Sequence, residues 1–230
     1  MSPVNSGYAI HVVAGAVIDA AGRVLIAQRP AGKHLAGAWE FPGGKLHPGE
    51  DRRLGLAREL REEIGIEIRM PRPLLRLRHT YEYGEVLLDI WVVRHFSGPV
   101  LGLDDQALRW CSQSELQAAE LLPADKPIVA ALRLPERLSE VSTPDYVLHD
   151  AWRGPSLDGR LCGVLCSSAA GAVAAAESGA DFLVMRDVLA MRDLDVLCGS
   201  VRLPVYARGN SLPEAWEHGA TGTHSLASRL

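Results

Sequence analysis

Five carboxylates crowd one short stretch at residues 43–66, "GGKLHPGEDRRLGLARELREEIGI": Glu50, Asp51, Glu59, Glu62 and Glu63. On a helix, carboxylates spaced three and four residues apart repel each other by a few tenths of a kcal/mol per pair. A divalent cation would offset this repulsion, because Mg²⁺ takes oxygen ligands and is often shared between carboxylates and substrate phosphates. The stretch therefore predicts a metal site for a phosphate-bearing substrate; the alternative is a solvated face of glutamates and arginines.

The helix that must position these acids is predicted over roughly residues 51–64. Its apolar stripe is expected at four positions along one face, Leu54, Ala57, Leu60 and Ile64. Arg58 lies one turn before Glu62, so its guanidinium can hold a carboxylate in place. Gly55 inside the helix costs up to about 1 kcal/mol more.

The spacing fits the Nudix box, G-x5-E-x7-R-E-U-x-E-E-x-G-U with U aliphatic, at every fixed position. Those positions are Gly44, Glu50, Arg58, Glu59, Leu60, Glu62, Glu63, Gly65 and Ile66. Nine specified positions within 23 residues make this pattern far more specific than a lone glycine fingerprint. From about residue 9 to residue 138 the chain resembles the MutT branch of the family, through "GAVID", "VLIAQRP", "AWEFPGGK", "LRW" and "LPADKPIVAAL".

This resemblance implies an α/β fold for residues 1–139, an α/β/α sandwich with a mixed sheet whose box forms a loop–helix–loop. Family members hydrolyse a nucleoside diphosphate linked to another group, and MutT-like members release a nucleoside monophosphate and pyrophosphate. We therefore expect a nucleoside triphosphate pyrophosphohydrolase that removes oxidised nucleotides such as 8-oxo-dGTP. The alternatives are another substrate, such as a pyrimidine triphosphate or a dinucleotide, and a module that senses nucleotides without hydrolysing them.

The resemblance also assigns a metal and its ligands. Glu59, Glu62 and Glu63 would bind Mg²⁺, or Mn²⁺ in its place, with help from the backbone carbonyl of Gly43. A bound metal neutralises phosphate oxygens and lowers the pKa of a bound water. A carboxylate takes the proton of that water, and Glu59 is the leading candidate, although the sequence does not separate ligand from base.

Seven positions match the substrate pocket of the MutT branch: Arg29, His34, Glu40, Phe41, Pro42, Gly43 and Asp125. Arg29 can form a forked contact with phosphate. His34 lies in the loop "GKHLAG", where a surface cation is an equally good interpretation. Phe41, like Trp39, could stack on a base or simply pack in the core.

Asp125 stands where MutT-like proteins carry an asparagine that reads the oxidised guanine. An asparagine amide donates to O6 and accepts from the N7–H of 8-oxoguanine. An ionised aspartate only accepts, and a protonated one reproduces the amide pattern if burial raises its pKa. The alternative is a helix N-cap, because Asp125 lies two residues before Pro127 and the apolar run "IVAAL".

Residues around the box are expected to support it. Arg58 would orient a glutamate rather than touch substrate, and Glu50 would support the loop or an outer shell of metal ligands. The sequence departs from the MutT branch at one acidic position, just before the tryptophan of "LRW", where this chain has Arg109. Asp104 or Asp105 could supply the missing carboxylate.

After about Ser139 the pattern changes to short apolar runs alternating with helical ones, which is typical of βαβ units and a parallel sheet. The polar stretch at residues 137–145 separates a first domain, 1–139, from a second, 145–230. The second resembles the last half of a thiamine phosphate synthase or TenI (β/α)8 barrel, through "CGVLCSS", "GADFLVM" and "LPVYARGN".

The second domain departs from the phosphate-binding motifs of those barrels. Leu165 and Ser167 replace a serine and a histidine, and Asn210 replaces a glycine whose backbone would cradle phosphate. We therefore expect no independent thiamine-forming activity. A half barrel has sheet edges that need cover, so the segment is expected to dock on the first domain or to form a homodimer.

Composition excludes several classes. The 230 residues carry a formal net charge of −4, which argues against direct binding to duplex DNA. No apolar run is long enough to span a bilayer, and the N-terminus lacks the order of a secretory signal. Four scattered cysteines do not suggest a disulfide scaffold; Cys162 and Cys166 are read as free thiols, with zinc a remote alternative. We expect a cytoplasmic protein.

Overall fold

The computed structural model describes residues 10–82, 84–209 and 211–226. By its internal contacts the chain divides into two compact units. The first comprises the described residues up to Arg72 together with Arg78–Lys126, and the second comprises Pro73–Leu77 and the described residues from Pro127 onward. Within these ranges no helix is both long and apolar enough to cross a membrane.

The chain up to Asp125 is rich in strands. In chain order they are β1 (Ile10–Val17), β2 (Val24–Gln28), β3 (Trp39–Glu40), β4 (Gly43–Lys45), β5 (Glu67–Arg69), β6 (Arg72–Tyr81), β7 (Gly84–Val93), β8 (His95–Ser97) and β9 (Leu108–Cys111). The helices are α1 (Arg52–Ile64), α2 (Gln113–Ala118) and a 3-10 helix, Pro123–Asp125. A capping box begins α2: the Ser112 side chain accepts a hydrogen bond from the Glu115 amide, and the Glu115 side chain accepts one from the Ser112 amide.

The central sheet is mixed, which confirms the predicted fold class. Its strand order is β4-β1-β7-β6. Strand β1 runs parallel to β7 over eight residue pairs, from Ile10 opposite Val86 to Val17 opposite Val93. It runs antiparallel to β4, so the first residues of the Nudix box join the central sheet. A second sheet has the order β3-β2-β9, and β5 pairs with β8 as a two-stranded ribbon.

Helix α1 packs on the sheet through Leu56, Leu60 and Ile64, which are fully buried. The predicted stripe was therefore wrong at Leu54, which is 68% exposed. Leu54 lies about 200° around the helix from Leu56, so the two cannot share a buried face. Asp51 caps the helix, because its side chain accepts hydrogen bonds from the amides of residues 53 and 54.

The second unit contains a parallel six-stranded sheet, so the predicted half-barrel segment is confirmed as a fold. Its strand order is β10-β15-β14-β13-β12-β11. The elements are α3 (Lys126–Arg133), β10 (Arg137–Leu138), β11 (Tyr146–His149), β12 (Leu161–Cys166), α4 (Ala169–Glu177), β13 (Phe182–Met185), α5 (Met191–Ser200), β14 (Val205–Arg208), α6 (Leu212–Glu217) and β15 (Gly222–His224).

Both faces of this sheet are buried. One face packs with α4, α5 and α6 through residues such as Leu183 and Leu194. The other buries Phe182 and Tyr206 together with Leu134, which follows α3. Helix α3 ends at Arg133, because helical geometry is disfavoured for Leu134, the residue before Pro135.

Candidate active site

One cavity of about 700 Å³ opens between the box helix and the central sheet. We call it the carboxylate pocket. Its polar lining is Arg29, Lys33, His34, Glu40, Lys45, Glu59, Glu62, Glu63, Tyr81, Asp104 and Asp125, with Phe41, Gly43 and Gly44 beside them. Side chains of β1 and β7 supply an apolar wall. Most residues predicted for the site therefore meet in one place, although Arg58, Pro42 and Asp105 do not line the pocket.

Arg58 connects three of the box glutamates. Its Nε and Nη2 donate to the two carboxylate oxygens of Glu50, each at 2.8 Å. Its Nη1 donates to Glu59 at 2.8 Å and to Glu62 at 3.2 Å. The fork lowers the pKa of Glu50 to about 2, aided by the His47 amide. Arg58 thus fixes the orientation of the acids, and Glu50 holds Arg58.

Two glycines of the box let the glutamates approach the backbone. A Cβ at Gly44 would lie 2.2 Å from Oε2 of Glu59, so only glycine leaves room for this carboxylate. The Gly43 amide donates to Oε2 of Glu63 at 2.7 Å. Gly43 has a φ of 153°, and a Cβ there would lie 2.2 Å from the Val13 carbonyl. A Cβ at Gly55 would lie 2.1 Å from Cδ2 of Leu46, so an alanine there would require the end of that side chain to move.

Glu63 is the most unusual acid of the box. The pKa of Glu63 is raised to about 7, chiefly by burial. The nearby carboxylates of Glu40 and Asp104 also raise this pKa, whereas the Gly43 amide lowers it. Within the described residues no arginine or lysine forms an ion pair with it. A buried carboxylate of this kind is costly unless a cation compensates it.

One side of the pocket holds two cationic side chains, Arg29 and Lys33, near Glu40. Arg29 forms an ion pair with Glu40 through Nη1, and its Nε donates to the His34 carbonyl at 2.8 Å. Lys33 and Tyr81 line the pocket too, and sequence reasoning missed both. Two sequence features could have indicated these residues: Lys33 is adjacent to His34 in the same loop, and the aromatic Tyr81 ends a long strand. The Tyr81 ring meets the His34 ring edge-on at 6.1 Å.

Asp125 closes the inner end of the pocket. It is the last residue of the 3-10 helix, and its side chain reaches the chain near β3, where the Phe41 amide donates to Oδ2 at 3.3 Å. The pKa of Asp125 is raised to about 8, chiefly by burial. The carboxylate of Glu40 also raises this pKa, whereas the Phe41 amide and Arg29 lower it. The carboxyl is therefore mainly protonated at neutral pH. Pro42 supports this region, because its carbonyl accepts the Gly15 amide at 2.9 Å.

The position that departs from the MutT branch lies outside the pocket. The guanidinium of Arg109 stacks on Trp39, 4.6 Å from the ring centroid, and its Nε donates to Cys111 Sγ. Of the two nearby acids, Asp104 lines the pocket and Asp105 does not. Trp39 is thus engaged with an arginine, whereas Phe41 lines the pocket while 4% exposed.

Comparison with known proteins decides the family. Residues 13–131, just over half of the chain, match the family model described as NUDIX domain. This chain belongs to the Nudix family. It is a Nudix hydrolase of the MutT type, and the enzymes to which it is similar are described next.

Three relatives from Escherichia coli illustrate the likeness. Its CTP pyrophosphohydrolase is 43% identical over 122 residues, which cover 53% of this chain and 90% of that protein. Its 8-oxo-dGTP diphosphatase is 30% identical over 124 residues, covering 54% and 96%. The solution structure of its ORF135 protein, 40% identical, covers 56% of this chain and 92% of that chain with a TM-score of 0.50.

The acids of this Nudix hydrolase suit a divalent metal by their chemistry. In the part of the chain that the structure describes, no three His, Cys, Asp or Glu side chains already converge as a metal-binding group. The donors nevertheless fit, because Glu59, Glu62 and Glu63 present carboxylate oxygens to a single cavity and Glu63 is half-buried with no ion pair among the described residues. The family match ends at residue 131, so the barrel-like resemblance of the second unit stays a prediction.

Proposed function

We propose that this enzyme hydrolyses a nucleoside triphosphate to the monophosphate and pyrophosphate with Mg²⁺, and that an oxidised purine nucleotide such as 8-oxo-dGTP is its preferred substrate. The observation that carries the proposal is the arrangement of the carboxylate pocket. A buried, protonated acid, Asp125, lies at the inner end of the cavity into which the box glutamates project. Mn²⁺ is the expected substitute metal.

The box residues would divide the work. Glu59, Glu62 and Glu63, with the Gly43 carbonyl, would hold the metal, which when bound neutralises phosphate oxygens and acidifies water. Glu59 is our candidate for taking the proton of the attacking water, since Arg58 and Gly44 fix its position. Arg29 and Lys33 neutralise phosphate charge at the pocket wall, and Asp104 supplies a further carboxylate.

Asp125 would read the base through its protonated form. With Oδ2 accepting the Phe41 amide, a proton on Oδ1 makes the group a donor beside an acceptor. Such a pair matches O6 and N7–H of 8-oxoguanine. Unmodified guanine presents two acceptors on that edge, so one contact would become repulsive. Phe41, His34 and Tyr81 surround the space a base would occupy, and Glu40 orients Arg29.

Cytidine triphosphate is the second candidate. The similarity to a CTP pyrophosphohydrolase, at 43% identity, exceeds that to the 8-oxo-dGTP diphosphatase of the same organism, at 30%. The chemistry agrees, because cytosine presents an acceptor, N3, beside a donor, N4–H, and a protonated Asp125 complements both. Uridine triphosphate reverses these two groups and would be the poorer substrate.

One panel of substrates tests both candidates. Pyrophosphate release would be measured for 8-oxo-dGTP, dGTP, CTP, UTP and a dinucleotide, each with Mg²⁺, with Mn²⁺ and with a chelator. The proposal expects the highest kcat/KM for 8-oxo-dGTP, then CTP, and no turnover with the chelator. A preference for dGTP over 8-oxo-dGTP, or for UTP over CTP, would contradict the proposed role of Asp125.

For the second unit we propose a degenerate thiamine phosphate synthase-like segment, residues 145–230, beside a Nudix domain of residues 1–139 in a cytoplasmic enzyme. Duplex DNA is not an expected partner, given the net charge of −4. Self-association through the second unit is part of the proposal. Light scattering of the full chain tests it, and a monomer at micromolar concentration would contradict it.

A further inference from the structure

A second cavity, of about 500 Å³, lies on the ribbon formed by β5 and β8. We call it the basic cavity. It is lined by Arg69, Met70, Arg94, His95, Phe96 and Ser97, and it shares no residue with the carboxylate pocket. Its volume is in the range of small-molecule sites, about 300–1,000 Å³.

The basic side chains of this cavity have no acidic partner among the residues that line it. Arg69 pairs with His95 across the ribbon, which places two basic side chains opposite each other. Arg94 forms the link between β7 and β8. Within the described residues, neither hydrogen bonds nor ion pairs engage these three side chains, and no acidic residue lines the cavity. Two guanidinium groups that line one cavity repel each other, and an anion bound between Arg69 and Arg94 would offset that repulsion.

The apolar part of the cavity is equally distinctive. Met70 is 82% exposed and has a φ of 50°, in the left-handed region that non-glycine residues rarely adopt. It also precedes Pro71, and a residue before proline prefers extended geometry. Phe96 also lines the cavity, and its ring is anchored by stacking on Trp110, with centroids 6.3 Å apart. A strained backbone thus presents a flexible thioether beside an anchored ring.

We propose that the basic cavity is a second binding site, for a small organic phosphate whose phosphate meets Arg69 and Arg94 and whose apolar part meets Met70 and Phe96. Two guanidinium groups can take the oxygens of one phosphate in forked contacts. Six residues line the cavity, two of them arginines, which matches one phosphate group with one apolar substituent better than a nucleic acid strand with many phosphates. The site is independent of the hydrolase chemistry, because no box residue takes part in it.

Calorimetric titration of the full chain with phenyl phosphate, in chelator and at low salt, tests the proposal. We expect saturable binding that is tighter than that of inorganic phosphate, since the latter lacks the apolar contact. Replacing both Arg69→Gln and Arg94→Gln should weaken phenyl phosphate at least about tenfold, because each loses a charged hydrogen bond. The exposed Arg192→Gln is the matched control and should bind as wild type, and kcat should not change in any of these variants.

Met70→Gly is a second variant that separates binding from folding. Glycine tolerates the positive φ, so its melting temperature should equal or exceed that of wild type while phenyl phosphate binds more weakly. In protein with ¹³C-methyl methionine, the Met70 signal should move on titration, and that of the buried Met185 should not.

Three results would overturn the proposal. The first is unchanged affinity in the double arginine variant. The second is binding lost in Arg29→Gln instead, which would place the phosphate in the carboxylate pocket. The third is a single-stranded oligonucleotide that moves the Met70 signal at concentrations where phenyl phosphate does not, which would make the cavity a polymer-binding surface.

Discussion

Asp125→Asn is the substitution that most directly tests a protonated acid in the pocket. Burial raises the pKa of this carboxyl to about 8, from an ordinary value of 3.8. The unfolded chain keeps the ordinary value, so between about pH 4 and pH 8 the folded protein holds a proton that the unfolded chain has released. The stability contributed by the group is therefore complete below about pH 4 and is lost as the pH rises towards 8.

The size of the effect follows from the same pKa difference. Each unit of pKa difference corresponds to about 1.4 kcal/mol, so a difference of roughly four units limits the lost free energy of unfolding to about 6 kcal/mol. Asparagine removes the titration and keeps an oxygen for the Phe41 amide. The free energy of unfolding of the variant should therefore exceed that of wild type increasingly as the pH rises, by at least about 1 kcal/mol at pH 8.

Denaturant unfolding of both proteins at several values between pH 5 and pH 8 provides the measurement. Parallel pH dependences would refute the inference that the buried group is protonated. The same variant separates the two readings of the residue. If Asp125 hydrogen-bonds to the base, the substitution should change the ratio of 8-oxo-dGTP to dGTP turnover, because an unpaired polar group in a dry pocket costs about 1–3 kcal/mol. A residue that served only as a helix cap would leave that ratio unchanged, because asparagine caps a helix as well as aspartate does.

Four further substitutions probe the box. Glu62→Gln and Glu63→Gln should each abolish pyrophosphate release at saturating Mg²⁺ without lowering the melting temperature, because they remove like charge; near wild-type activity in either would refute the metal role. Gly44→Ala should lower kcat at least about tenfold, since the new Cβ would displace the carboxylate packed against it, whereas Gly171→Ala on the exposed side of α4 should leave kcat unchanged. Arg58→Lys keeps the charge but loses the fork, so kcat should fall with little change in KM, and an equal rise in KM would argue for direct substrate contact.

The sequence predicted what depends on local spacing. The box acids lie on one helix, so their mutual geometry follows from the helical repeat, and Asp51 and Gly65 mark the helix ends that the structure contains. The mixed sheet and the alternating second unit were also predictable. The apolar face of α1 was predicted wrongly at Leu54 because charged residues flank both Leu54 and Leu56 in the sequence. Only the packing of Leu56 against β1 and β7 shows which of the two is buried.

Contacts between distant segments could not be predicted in the same way. The bond from the Phe41 amide to Asp125 spans 84 residues, and nothing local indicates it. Tyr81 enters the pocket through the length of β6, which sequence patterns do not define closely. The burial that raises the pKa of Glu63 likewise depends on the whole fold, because a helix diagram gives it the same exposure as Glu62.

Arg58 shares one guanidinium charge among three carboxylates. It bonds to only one oxygen of Glu59 and one of Glu62, so the second oxygen of each can serve a metal while Arg58 keeps its hold. A metal ion and the guanidinium would then act on the same acids, and their like charges lower the affinity of the site for the ion. An Arg58→Gln variant should consequently bind the metal ion more tightly while catalysing more slowly, because the acids lose a competing cation and their fixed orientation together.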